Sequence, residues 1–147
     1  MGQKAFPRVR DFMDRTVPTV HPDAPIVEAV ALLLEAHVTG APVLDDAGRL
    51  VGIVTEYDML RLLAAGPHDA RASGKVRDYM TTEVVTVTPD MDIYFAAGLF
   101  LRNPFRRLPV LEGGRLVGAI TRYDILRAIR ANLAPADAEP TEDAGER

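Results

Sequence analysis

Val9-Arg10-Asp11-Phe12-Met13 returns 67 positions later as Val76-Arg77-Asp78-Tyr79-Met80. Gly48-Arg49-Leu50-Val51-Gly52 also returns, as Gly114-Arg115-Leu116-Val117-Gly118, at an offset of 66. The sequence therefore contains an internal duplication of a unit of about 55–60 residues, with one residue fewer in a loop of the second copy. Because so small a unit rarely buries enough apolar surface alone, the two copies are expected to pack into one pseudo-symmetric body. Any site that the unit carries should exist twice.

Each copy predicts the same order of elements: strand, helix, strand, strand, helix. The first strands are expected at Val17–Val20 and Val84–Val87, and the last helices begin near Glu56 and Arg122. A turn-rich break between the two middle strands predicts a hairpin. The first long helix of each copy is predicted from apolar residues at helical spacing, namely Ile26, Val30, Leu33, Leu34 and Val38, then Ile93, Ala97, Phe100 and Leu101.

The fold class is therefore α/β, with two pseudo-symmetric β-α-β-β-α repeats packed as one module. The predicted boundaries are residues 8–64 for the first repeat and 76–133 for the second. Residues 65–75, which contain Gly66-Pro67 and Ser73-Gly74, are expected to form the linker. Residues 134–147 hold five acidic side chains and one arginine without large apolar residues, which predicts a disordered acidic tail.

Composition narrows the function classes. The chain has 147 residues, no cysteine and a net charge of −4, and the tail alone accounts for that charge. A neutral body offers no basic face, so nucleic-acid binding is not expected. The apolar runs are too short to span a bilayer and no signal peptide precedes them, so a cytoplasmic protein without a membrane segment is predicted. Disulfides and thiolate metal sites are excluded.

The sharpest local motif is Gly-x-x-Thr-x-x-Asp, which ends in Thr55 and Asp58 in the first copy and in Thr121 and Asp124 in the second. One interpretation is a capping box, in which threonine and aspartate satisfy backbone N–H groups at a helix start. The other is a ligand site, in which free N–H groups bind phosphate and the carboxylate accepts bonds from a ribose diol. The preceding glycine leaves room for a ligand or marks a bulge. Spacing alone leaves both interpretations open.

The order of these motifs, twice over, resembles a pair of cystathionine-β-synthase-type (CBS) domains, also called a Bateman module. The resemblance covers about residues 8 to 130. It implies a regulatory module that binds adenosine-containing ligands between the two repeats: AMP, ADP or ATP, with S-adenosylmethionine possible and no cofactor required. It also implies that Asp58 and Asp124 hold ribose hydroxyls, that Thr55 and Thr121 contact ribose or phosphate, and that the base is enclosed around Pro18, Val85, Gly40 and Leu108.

The two copies differ in charge just before the hairpin. Arg106-Arg107 in the second copy correspond to Thr39-Gly40 in the first. Arginine binds phosphate through paired hydrogen bonds. The hypothesis is that the cleft served by Arg106 and Arg107 binds a nucleotide phosphate, while the other takes a nucleoside or stays empty. The alternative is that both arginines face solvent, and sequence does not say which aspartate shares their cleft.

Three function classes follow. The first is a stand-alone nucleotide-sensing module that signals to a separate, unknown effector protein. The second, an enzyme, is not predicted, since there is no P-loop, nucleophile set or metal cluster. The third is a ligand-free structural or dimerisation module in which the Thr-x-x-Asp motifs only cap helices. Apolar helix faces and the family resemblance both predict a homodimer.

Overall fold

A computed structural model describes residues 7–64 and 73–138, with side chains to residue 132. The first copy contains a short helix, a longer helix, a hairpin and a last helix: α1 (Val9–Phe12), α2 (Ile26–Ala36), β1 (Gly40–Leu44), β2 (Leu50–Thr55) and α3 (Glu56–Ala64). The second repeats the order: a 3-10 helix (Val76–Asp78), α4 (Ile93–Arg102), β3 (Arg107–Glu112), β4 (Arg115–Thr121) and α5 (Arg122–Ala138). Within these ranges, no helix combines the length and apolar character needed to cross a bilayer.

Both predicted hairpins are confirmed. β1 pairs antiparallel with β2, and β3 pairs antiparallel with β4. In the second copy the turn shrinks to Gly113-Gly114, with φ angles of 59° and 83°. Two successive positive φ angles suit glycine, and they match the twist of the flanking strands. The missing residue of the second copy therefore lies in this turn.

The predicted first strands are wrong in extent. Each is reduced to one parallel bridge, Val20 opposite Val43 and Val87 opposite Val110. Val20 receives a hydrogen bond from Leu44 at 3.0 Å and donates one to the Pro42 carbonyl at 3.1 Å. Pairing does not extend toward residues 17 and 84, because the facing residues Pro42 and Pro109 have no N–H to donate to the earlier carbonyls. It does not extend further on, because Pro22 and Pro89 have no N–H either.

The two long helices of the repeats bury a narrower face than their apolar spacing predicts. Ile26, Ala29 and Leu33 are buried on α2, while Leu34 is 71% exposed. On α4 the buried residues are Ile93, Ala96 and Phe100, while Leu101 is 89% exposed. Each helix therefore presents an uncovered apolar side chain next to its buried stripe.

The boundaries predicted for the linker and tail fall largely outside the described residues. Residues 65–72 and 139–147 are not described. α5 continues to Ala138, so residues 134–138, which were assigned to the tail, are helical. Ser73–Lys75 lead directly into the 3-10 helix, and Gly74 there has a φ of 101°.

The opening turns of the two repeats are exchanged. Val9 of the first repeat is fully buried in the core of the second, in the cluster that contains Ile93 and Phe100. Val76 of the second repeat is fully buried in the core of the first, with Ile26 and Val54. Each packing unit therefore combines most of one repeat with the opening turn of the other, and neither 8–64 nor 76–133 is a closed core.

Backbone hydrogen bonds fix this exchange. Asp14 and Ala119 bond each other in both directions, at 2.9 and 3.0 Å, so the end of the first turn pairs with the outer edge of β4. Thr81 and Ile53 do the same at 2.8 and 2.9 Å on β2. Each hairpin thereby gains an antiparallel neighbour from the other repeat. This pairing places Thr81 and Asp14 beside the two Thr-x-x-Asp motifs.

Candidate functional site

The first Thr-x-x-Asp motif forms a closed set of hydrogen bonds where β2 passes into α3. The backbone N–H and the hydroxyl of Thr55 both donate to Oδ2 of Asp58, at 2.9 and 3.1 Å. The N–H of Asp58 donates back to the Thr55 hydroxyl at 3.4 Å. These are the reciprocal bonds of a capping box. Asp58 is consequently only 6% exposed.

The second motif has the same geometry between β4 and α5. The N–H and hydroxyl of Thr121 donate to Oδ2 of Asp124 at 2.9 and 3.1 Å, and the Asp124 N–H donates to the hydroxyl at 3.2 Å. The capping interpretation is thus confirmed at both positions. Capping uses one oxygen of each carboxylate and leaves Oδ1 for another partner.

The start of α3 does not offer the free N–H groups that the ligand interpretation assumed. The N–H of Glu56 donates to the Thr39 carbonyl at 2.8 Å, and those of Thr55 and Asp58 are used in the cap. That expectation is wrong for these three groups. These three N–H groups are therefore not available to a phosphate, and cationic side chains would add to its binding.

The bulge predicted at the glycine of each motif is present, because the strand register shifts next to Gly52 in β2 and next to Gly118 in β4. The glycines also admit a close backbone contact. A Cβ on Gly52 would lie 2.8 Å from Sδ of Met80 and 2.9 Å from the Thr81 carbonyl oxygen. A Cβ on Gly118 would lie 2.7 Å from the Asp14 carbonyl oxygen. Each glycine therefore admits the exchanged turn of the other repeat, and the close approach is to protein backbone.

The outer carboxylate oxygens of the two motifs have different partners. Oδ1 of Asp58 accepts a hydrogen bond from the Thr81 hydroxyl at 3.3 Å. Oδ1 of Asp124 accepts from Nη1 of Arg127 at 2.9 Å, in an ion pair. A neutral hydroxyl partner is readily exchanged for a ligand hydroxyl, whereas an ion pair must first be broken. The first motif is therefore the more accessible one for a diol.

A cleft of about 510 Å³ joins the first motif to the second repeat. This volume is within the usual range for small-molecule sites. Its lining from the first packing unit consists of Thr39, Gly40, Ile53, Thr55, Glu56, Tyr57, Asp58 and Thr81. Its lining from the second consists of Pro104, Phe105, Arg106 and Arg107.

Five of the predicted site residues therefore lie together: Gly40, Thr55, Asp58, Arg106 and Arg107. This arrangement shows which aspartate shares a cleft with the arginines: it is Asp58.

The other five predicted site residues lie elsewhere. Thr121 and Asp124 form the second motif, and Leu108 is fully buried in the core of the second unit. Val85 packs partly buried against that core, and Pro18 is half-buried. None of the five lines this cleft. Leu108 is excluded from ligand contact because the alternation of β3 directs it opposite to Arg107 and into the core.

Seven of the twelve lining residues were not among the predicted site residues, and Thr81 and Phe105 are two of them. Thr81 directly follows the repeated Val76–Met80 turn, but its place beside Asp58 depends on the exchange of turns. Phe105 packs partly buried against the core of the second unit, as expected of an aromatic residue, and it also lines the cleft. Within the described ranges, no group of three or more His, Asp or Glu side chains could hold a metal ion.

Comparison with known proteins identifies relatives for both repeats. The family model for the CBS domain matches residues 9–65 and 76–131. The uncharacterized protein MJ1225 of Methanocaldococcus jannaschii is 36% identical over 126 residues, covering 86% of this chain and 44% of that protein. The chloroplastic CBS domain-containing protein CBSX2 of Arabidopsis thaliana is 33% identical, covering 82% of this chain and 62% of that protein. The chain thus spans less than two-thirds of both curated relatives.

Solved structures agree with these matches. The crystal structure of CBSX2 in complex with AMP has a TM-score of 0.74 at 37% identity and covers 84% of this chain and 96% of that one. The CBS domain pair of MJ0100, in complex with 5-methylthioadenosine and S-adenosyl-L-methionine, has a TM-score of 0.75 at 26% identity, with 86% and 98% covered. The chain described here belongs to the CBS-domain family and carries a tandem pair of CBS domains.

Proposed function

We propose that this chain is a non-catalytic regulatory module that binds an adenosine nucleotide such as AMP in the cleft between Asp58 and Arg106-Arg107. One observation carries the proposal. The exchanged fold brings a nearly buried aspartate of one repeat and two arginines of the other to the walls of a single cleft. A carboxylate that recognises a diol and guanidinium groups that recognise phosphate are the two polar requirements of a nucleoside monophosphate.

The cleft has residues suited to the ribose, the phosphate and the base of such a ligand. Oδ1 of Asp58 accepts a ribose hydroxyl in place of the Thr81 hydroxyl. Arg106 and Arg107 donate to the phosphate, because the N–H groups of Thr55, Glu56 and Asp58 are already bonded. Ile53 and Phe105 offer apolar surface for the base. The AMP complex of CBSX2 supports the choice of ligand.

Binding in this cleft gives a route to regulation. Because its walls come from both packing units, a ligand favours whichever mutual arrangement gives it better contacts. A separate effector protein that distinguishes the two arrangements is then coupled to the ligand. The effector is part of the proposal.

The alternative proposal is a structural module that binds no ligand. The observation that favours it is the completeness of both caps, since each Thr–Asp pair already satisfies its own helix start. In that case the aspartates stabilise α3 and α5 only.

Thermal unfolding with added ligand decides between the two. At about 100 times its dissociation constant, AMP is expected to add about 2.7 kcal/mol to the free energy of unfolding. The midpoint should rise by roughly 5–10 °C. Asp58→Asn should lose most of this rise, because the amide presents a donor to the ribose hydroxyl and weakens acceptance. Asp124→Asn, the matched change in the second motif, should keep it.

ADP, ATP, S-adenosylmethionine, NADH and GTP complete the panel. A rise for another adenine compound that Asp58→Asn removes would support the cleft with a different ligand. No rise for any compound would contradict the sensor proposal and support the structural one. Equal losses in both aspartate variants would mean that the rise reflects cap stability and not this cleft.

We also propose that two chains form a homodimer through apolar helix faces. Leu34, Leu63 and Leu101 are 71, 80 and 89% exposed, and apolar side chains left this open favour association. Light scattering after gel filtration is expected to give twice the mass of one chain. Leu34→Glu/Leu101→Glu should give the mass of one chain if α2 and α4 form the interface. A single-chain mass for the unaltered protein would contradict this proposal.

A further inference from the structure

Arg107 lies next to both Thr-x-x-Asp motifs. Its side chain lines the cleft of the first motif, together with Thr55 and Asp58. Its backbone lies directly opposite Thr121 in the β3–β4 hairpin, so it also borders the second motif. The matching residue of the first repeat, Gly40, lies opposite Thr55 and has no side chain to share.

Asp14 lies on the same face as Arg107. Residues directly opposite each other in antiparallel strands point to the same side, as do residues two apart in one strand. Asp14 is opposite Ala119, and Ala119 is two residues before Thr121. The side chains of Asp14, Thr121 and Arg107 therefore face one side of the hairpin.

The equivalent residues of the first repeat confirm this geometry. Thr81 is opposite Ile53, and Thr55 follows two residues later. All three line the same cleft. Asp14 is thus the counterpart of Thr81, and a carboxylate beside Asp124 replaces the hydroxyl beside Asp58.

Two carboxylates on one face need cationic neighbours, and the structure supplies two. Arg127 forms the ion pair with Asp124, and it also donates to the Phe12 carbonyl and lies over that ring at 5.5 Å. Its counterpart Arg61 makes the same two contacts with Tyr79, so the ion pair is what distinguishes Arg127. Burial lowers the pKa of Arg107, and the negative charges of Asp14 and Asp124 oppose this shift. The positive charge of Arg107 therefore acts on both carboxylates.

We infer that Asp14 is a specificity-determining residue that limits the affinity of the cleft for anionic ligands, because it competes with the ligand phosphate for Arg107. The inference rests on the proposed function and concerns how ligand affinity in that cleft is limited. A phosphate that draws Arg107 into the first cleft leaves Asp14 and Asp124 less compensated at the second motif. The charge state of one motif thereby affects ligand affinity at the other.

Isothermal titration with AMP tests this competition. Asp14→Asn is expected to bind AMP about 5-fold more tightly than the unaltered protein, the size of one partly exposed charge interaction. Asparagine still accepts the hydrogen bond that Asp14 takes from the Thr16 N–H at 3.0 Å. Adenosine, which lacks the phosphate, should bind both proteins equally. Glu35→Gln removes the same charge from the exposed surface of α2, outside the cleft, and should change AMP affinity less than 2-fold.

An Arg107→Ala background separates competition from plain repulsion. With Arg107 absent, Asp14→Asn is expected to give no gain. A gain of the same size in that background, or equal AMP affinity for Asp14→Asn and the unaltered protein, would overturn the inference and leave the proposed function standing. No AMP binding by any of these proteins would overturn both.

Discussion

The double variant Arg106→Ala/Arg107→Ala is expected to bind AMP about 100-fold more weakly than the unaltered protein. Hydrogen bonds to charged groups contribute about 1.5–3 kcal/mol each, and two such losses exceed the 2.7 kcal/mol that 100-fold represents. The expected loss of AMP affinity is at the lower end of this range because Arg106 is exposed and Arg107 is only half-buried. Equilibrium titration by calorimetry measures the dissociation constant directly.

The ligand comparison shows whether the lost contacts are to phosphate. Adenosine affinity should change little in the double variant, since Asp58 and the apolar walls are intact. Arg15→Ala/Arg115→Ala is the matched control, because it removes two arginines that line a separate hollow of about 290 Å³. AMP affinity equal to that of the unaltered protein in Arg106→Ala/Arg107→Ala would show that both arginines face solvent.

The duplicated motifs predicted local structure well because each element is specified within a few residues. Thr55 and Asp58 are three positions apart, so their cap forms wherever the surrounding helix forms. The loss of one residue before Gly114 likewise predicted the shorter hairpin turn. The length of the first strand was harder to predict. Val17–Val20 has the composition of a strand, but neighbouring prolines limit its pairing to Val20.

The exchange of the opening turns could not be read from the sequence. Val9–Met13 and Val76–Met80 differ only in an aromatic residue, phenylalanine or tyrosine, so either turn fits either core. The choice depends on the path of the connecting chain. The residues beside each motif depend on this choice, because the exchange brings Thr81 to Asp58 and Asp14 to the second motif.

The exchanged turns give the repeated glycines a second role beside the strand bulge that the sequence predicted. Met80 and Thr81 occupy the space beside Gly52, and Met13 and Asp14 occupy the space beside Gly118. A side chain at either position meets protein and not ligand. Glycine is therefore required by the pairing that holds the two repeats together.

Gly118→Ala is accordingly expected to lower the free energy of unfolding by about 2–3 kcal/mol, the upper part of the range for overpacking a closed interior. The new Cβ would lie 2.7 Å from the Asp14 carbonyl oxygen and 3.0 Å from Sδ of Met13. Methionine can move, but the Asp14 carbonyl is held by the Ala119 N–H at 3.0 Å, so relief requires breaking that bridge. The thermal midpoint should fall by roughly 10 °C.

Gly98→Ala is the matched control, since its Cβ would meet only the tip of Arg102, at 3.4 Å. Within α4, alanine is favoured over glycine by about 1 kcal/mol, so this variant should be unchanged or slightly more stable. Gly52→Ala should lose stability as Gly118→Ala does, because its Cβ would lie 2.9 Å from the Thr81 carbonyl oxygen. Gly52→Ala should also weaken AMP binding, since relief there displaces the hydroxyl beside Asp58. If Gly118→Ala unfolds at the same urea concentration as the unaltered protein, the turn at Met13-Asp14 does not pack on β4, and the exchange of turns is wrong.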